Sequence, residues 1–75
     1  MSTADELFQS GKKNLDNENY DGALIFFDQA LELEPENPDI WNMKGIALRS
    51  LGRYNEASKC YNKSLELDPR DKASS

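Results

Sequence analysis

Apolar positions along this chain recur at spacings of three and four. Tyr20, Ala23, Leu24, Phe27, Ala30 and Leu31 form one such stripe, the period of a helix with one buried face. The next four residues, Leu31 to Glu34, alternate apolar and charged like a half-buried strand, yet Pro35 and Pro38 follow at once. Proline disfavours the helical conformation in the residue before it, so Glu34 lies near the last helical residue and Leu33 covers the chain's exit. Asn37 and Pro38 then read as a new start, because an asparagine side chain can accept from the orphan amides of a first turn and proline suits the first helical position. "EPENP" at 34–38 therefore predicts a corner between two helices.

That corner returns. "SLELDPRD" at 64–71 repeats "ALELEPEN" at 30–37, an offset of 34 residues. The same offset pairs Asp5 with Asp39, Gly11 with Gly45, Tyr20 with Tyr54, Ala23 with Ala57, Leu31 with Leu65 and Pro35 with Pro69, and sets Phe27 against Tyr61. The matches fall on small, aromatic and turn residues, where geometry is most demanding, so an internal repeat organises the chain.

Each unit resolves into two helices. The first opens at Thr3, with Glu6 three residues on as a capping box, and runs to about Asp16. "NEN" at 17–19 is rich in residues that tolerate left-handed geometry, and its counterpart "LGR" at 51–53 puts Gly52 where a helix stops. The second helix starts near Tyr20, the third at Pro38 and the fourth near Tyr54. Such short connections imply antiparallel hairpins.

Gly11 and Gly45 fall mid-helix, where glycine costs roughly 0.5–1 kcal/mol against alanine. Close packing offsets that loss, with Ala23 and Ala57 at the crossing point and Phe27 and Tyr61 filling the gap one turn on. The expected core is Leu7, Gly11, Tyr20, Ala23, Leu24, Phe27, Ala30 and Leu31 of the first unit. In the second it is Trp41, Gly45, Leu48, Leu51, Tyr54, Ala57, Tyr61 and Leu65.

Composition narrows the chemistry. At 75 residues the chain makes one small domain, whose core supplies only about 3–5 kcal/mol. One cysteine and no histidine exclude an internal disulfide and leave little for a metal site. This fits a reducing, cytoplasmic setting. No apolar run approaches the roughly 18 residues that cross a bilayer, and the start lacks the basic-then-apolar order of a secretion signal. A net charge of -5 opposes phosphate-backbone binding, which rests on lysine and arginine releasing counterions. Neither nucleic acid nor membrane is an expected partner.

Candidate catalytic groups are sparse. Cys60 follows neither core stripe well and has no base or metal beside it in sequence, so it reads as inert. The acidic run at 32–36 lacks the ligand order of a calcium loop. Nothing in the spacing brings two carboxylates into a pocket. The chain reads as non-enzymatic and without a cofactor.

The order of large apolar, Gly, Ala-x3-aromatic and Pro over a 34-residue helix-turn-helix period resembles the tetratricopeptide repeat. Unit two carries it as Trp41, Gly45, Leu48, Gly52, Tyr54, Ala57, Tyr61 and Pro69, and unit one as Leu7, Gly11, Tyr20, Ala23, Phe27, Ala30 and Pro35. Ser10, Asn14, Lys44 and Ser64 depart from the family's leucine, tyrosine, leucine and alanine. Polar Ser10 and Asn14 suit a solvated outer end. The resemblance implies an all-α domain spanning 1–75, with repeats at 4–37 and 38–71 and a flexible tail at 72–75. Its two tandem hairpins, four antiparallel helices, would stack in a right-handed superhelical sense.

The resemblance further implies a protein or peptide ligand held on a concave side lined by the first helix of each pair. The side chains there would be Asp5, Phe8, Lys12 and Asp16 from one helix and Asp39, Asn42, Ile46 and Arg49 from the other, joined by Ser50. Family members that clamp chaperone C-terminal carboxylates use lysine and asparagine at positions held here by Phe8, Lys12 and Met43, so that specialisation is not expected. The bland reading is that Phe8 packs beneath the N-terminal arm and that Lys12 and Arg49 are ordinary solvated charges. Repeat stacks generally have at least three units and a polar cap. No fifth helix is expected here, so either the chain is a piece of a longer array or another copy supplies the cover; the alternative function is therefore self-assembly, a homodimer covering the face around Tyr61, Leu65 and Leu67.

Overall fold

A computed structural model describes residues 3–68, which form α1 (Thr3–Asp16), α2 (Tyr20–Leu33), α3 (Pro38–Ser50) and α4 (Tyr54–Leu67). Among the described residues there is no strand. The fold is all-α, two helical hairpins in tandem. α1 packs along α2 and α3 along α4, while α3 also lies against α2 and touches α1. The second corner at Pro69, the end of the second repeat and the tail at 72–75 lie outside the described residues.

Local chemistry sets each boundary. Glu34 is the C-cap of α2, and Asn37 caps α3 by accepting from the Asp39 amide at 3.0 Å, with Pro38 in the first turn. The corner is tied twice more. Asn37 Nδ2 donates to Glu34 Oε1 at 3.0 Å, and the Trp41 indole donates to the Pro35 carbonyl at 2.8 Å. α1 already includes Thr3, so Thr3 is a helical residue and not the cap that was expected. Leu33 is 54% exposed and does not cover the corner as expected, because the Trp41 side chain ties that corner instead.

The two hairpin turns share a backbone but not a chemistry. Glu18 and its repeat partner Gly52 both take positive φ, +62° and +81°. In the first turn Asn19 Nδ2 donates to Asn14 Oδ1 at 2.8 Å, Asn14 Nδ2 donates to the Ser10 carbonyl at 2.8 Å, and the Gly22 amide donates to Asn19 Oδ1 at 3.3 Å. The departure at Asn14 thus builds a polar strap across the outer hairpin. In the second turn Arg53 forks onto Glu56, with Nε at 2.5 Å and Nη2 at 2.8 Å.

One continuous core joins the hairpins. Ala23, Leu24, Phe27, Ala30 and Leu31 of α2 meet Ile40, Ala47 and Leu48 of α3 and Ala57 and Cys60 of α4. Full burial of a side chain such as Phe27 or Ile40 contributes about 1.5–3 kcal/mol. Gly11 faces the Phe27 ring and Gly45 the Tyr61 ring. The aromatics therefore sit directly on the glycines, where the sequence suggested that alanines would.

Four other expectations change. Tyr54 is 66% exposed; it opens α4, which among the described residues has a close helix neighbour only in α3, whereas α2 is flanked by α1 and α3. Cys60 lies in the core after all, because Ala57, Cys60 and Ser64, spaced three and four apart, form the buried stripe of α4. Buried Ser64 stands in for the family's alanine by donating its hydroxyl to the Pro38 carbonyl at 3.0 Å. Ile40 and Ala47, absent from the expected core, are buried on a second face of α3.

Candidate functional site

α3 has two buried faces and one open one. Trp41, Gly45 and Leu48 form the face whose glycine meets Tyr61 of α4, and Ile40, Met43 and Ala47 form a second stripe packed into or against the core. Between them, Asp39, Asn42 and Arg49 are exposed and Ile46 is half-buried. On α1 the equivalent stripe has Asp5 and Asp16 exposed and Phe8 and Lys12 half-buried. α1 has no second apolar stripe: Glu6, Gln9 and Lys13 replace Ile40, Met43 and Ala47 and are exposed. Its outer side is built for water.

The expected site residues are thus placed on two neighbouring helices, but they do not all converge. The Phe8 ring lies 5.9 Å from that of Phe27, centroid to centroid, and Lys12 Nζ stands 5.5 Å from the centre of the Phe8 ring. Phe8 is consequently a wall between core and surface, and its outer face is covered by an ammonium within cation–π range. Ile46 keeps an accessible apolar surface beside exposed Arg49.

Lys44, where the family has leucine, repeats the same chemistry with a carboxylate added. Its Nζ lies 2.6 Å from Asp28 Oδ1 and 5.6 Å from the Trp41 ring centre, which bridges α3 to α2. Lys44 was legible as a departure from the pattern, though its partner Asp28 carried no signal in the sequence.

Asp39 and Asn42 also line a cleft. It measures about 250 Å³ and opens between the first turn of α3 and the last turns of α4, walled by Pro38, Asp39 and Asn42 on one side and Tyr61, Ser64, Leu65 and Asp68 on the other. This cleft was not foreseen, since it depends on how far α4 stands from α3.

Reactive groups are few. Burial raises the Cys60 thiol above its ordinary pKa, which holds it protonated. Among the described residues no cluster of three or more His, Cys, Asp or Glu side chains could hold a metal ion. No helix there is long and apolar enough to cross a membrane.

Two short helical hairpins stacked in register, with one shared core, define an α-hairpin repeat protein. Tetratricopeptide repeat family models match residues 7–37 and 38–71, and the chain belongs to that family. The TPR repeat-containing protein MJ1345 of Methanocaldococcus jannaschii is 50% identical over 66 residues, 88% of this chain and 19% of that protein. The uncharacterized protein MJ0572 of the same organism is 46% identical over 46 residues, 61% of this chain and 54% of its own length. The DnaJ protein P58IPK homolog A of Oryza sativa subsp. japonica is 35% identical over 63 residues, 84% of this chain and 13% of its own. The chain spans about half, or much less, of the length of these relatives. Repeats of this family serve protein–protein interaction.

Proposed function

We propose that this chain is a non-enzymatic module that holds a protein segment along the open side of α1 and α3. The observation that supports it most is the division of labour on α3, where two stripes are packed and the third, Asp39–Asn42–Ile46–Arg49, is left to solvent. With Asp5, Lys12 and Asp16 on α1, that face offers carboxylates, an amide and cations around Ile46, with the edge of Phe8 behind Lys12. A ligand with one apolar side chain flanked by charges of both signs matches it. Right-handed stacking would make this side the hollow one. Cys60 and the absence of any other cysteine agree with a reducing, cytoplasmic setting.

A peptide-array screen tests this reading, with Ile46→Asp and Arg49→Glu as controls. Ile46 and Arg49 lie outside the buried core, so both variants should fold. Hits that bind these variants as well as the parent would remove the groove assignment.

Self-association through α4 is the second reading. It is favoured by α4 lying, among the described residues, close to α3 alone, with Tyr61, Leu65 and Leu67 half-buried. Sedimentation across a wide protein concentration range decides it, since a monomer throughout would leave that reading without support.

A further inference from the structure

We propose that the cleft between α3 and α4 takes one arginine side chain of the bound protein segment. The inference deepens the function proposed above and rests on it only in taking the ligand to be a segment of protein. Its physical basis is a combination that the fold already uses internally. Lys12 sits over Phe8, and Lys44 sits over Trp41 while pairing with the Asp28 carboxylate. At Lys44, aromatic ring plus carboxylate is how this molecule accommodates a cation that is partly withdrawn from water.

Among the described residues, the cleft presents the same pair of features without a cation at either. Tyr61 and Asp39 both line it, and among the described residues Tyr61 has no cation over its ring and the Asp39 carboxylate no ion pair. Pro38 and Leu65 give apolar wall for an aliphatic stem, and Asn42 adds an acceptor at the rim. Arginine fits better than lysine, because its planar guanidinium stacks on a ring while its forked donors reach a carboxylate. A net charge of -5 adds long-range attraction for such a segment. Asp39 in the first turn of α3 also steadies that helix through its dipole. For that reason the test reads binding position and charge rather than stability.

The 15N-labelled protein is titrated with N-acetyl-L-arginine amide and, separately, with N-acetyl-L-glutamine amide, following backbone amide shifts. The arginine compound should move Asp39, Asn42, Tyr61 and Leu65 in a saturable way, weakened by added salt, and the glutamine compound should not. Asp39→Asn should weaken binding about two- to fivefold, the range of an exposed ion pair. Asn42→Lys, which sets a like charge at the rim, should abolish it and serves should Asp39→Asn not fold. Equal shifts with the glutamine compound, no saturable shift up to the solubility limit, or an unchanged curve for both variants would overturn the proposal. Ile46→Asp and Arg49→Glu should leave the arginine response intact. Peptide hits lost in those two variants but lacking arginine would sink this cleft and spare the groove; arginine binding without any peptide hits would do the reverse.

Discussion

The ring of Phe27 occupies the space that a side chain at Gly11 would need: a Cβ built there stands 2.5 Å from Phe27 Cε1. At the equivalent Gly45 the distance to Tyr61 Cε1 is 2.8 Å. The two sites differ in what can yield. Phe27 is fully buried, whereas Tyr61 is half-buried and borders an open cleft.

Alanine at either glycine gains about 0.5–1 kcal/mol of helix preference and overpacks its aromatic, which costs typically 1–3 kcal/mol in a rigid core. Gly11→Ala should therefore destabilise by about 1–2 kcal/mol, lowering the melting temperature by roughly 5–15 °C. Gly45→Ala should fall near zero, since Tyr61 can swing outward. Gly45→Leu exceeds what that swing accommodates and should unfold the domain. Thermal denaturation followed by circular dichroism separates the three.

Glu18 holds a backbone conformation that costs a non-glycine residue about 1–2 kcal/mol. Its repeat partner Gly52 avoids that strain, and a Cβ there would meet nothing within 4 Å. Glu18→Gly should raise the melting temperature and Gly52→Ala lower it, by similar amounts. Chemical denaturation of the two variants checks both signs, and two shifts in the same direction would contradict the account.

The Glu56 carboxyl is held below its ordinary pKa by the hydrogen bond and charge of Arg53, and Arg53 is raised in turn. A carboxylate with a lowered folded value stabilises above its unfolded pKa, about 4.3, and loses that contribution as pH falls through the folded value. Glu56→Gln should thus have a slightly lower urea midpoint at neutral pH, and the difference should close in acid. A gap that widened on acidification would show the sign to be wrong.

Cys60 should resist thiol reagents in the folded protein, since it is buried and its thiol is held protonated. Labelling with an aromatic disulfide should appear only with urea, tracking the unfolding curve. Rapid labelling in native buffer would place α4 away from the core.

The repeat itself was the legible part, because glycine, alanine and proline each have one physical use at those positions. The stop of α2 before Pro35, the start of α3 at Pro38 and the Asn37 cap follow from local rules. The second face of α3 was legible too, as Ile40, Met43 and Ala47 are spaced three and four apart. It was passed over because the other stripe matched the repeat partner in α1 and this one does not. Tyr54 misleads for the converse reason: identity to Tyr20 suggests equal burial, and only the packing shows that, among the described residues, α2 has two helix neighbours and α4 one. The cleft and the Lys44–Asp28 bridge depend on distances between helices that no spacing encodes. Of the groove residues, the exposure of Asp39, Asn42 and Arg49 followed from periodicity, whereas the screening of Phe8 by Lys12 is a matter of rotamers.

With both flanks of α3 committed, the hairpins cannot part without wetting Ile40 and Ala47 together. Partial states with one hairpin intact are correspondingly poor, and the domain should lose its structure in a single cooperative step. Amide protons in the middle of α3 would be the last to exchange with solvent, and whatever docks on its free edge inherits the stiffest strut in the molecule.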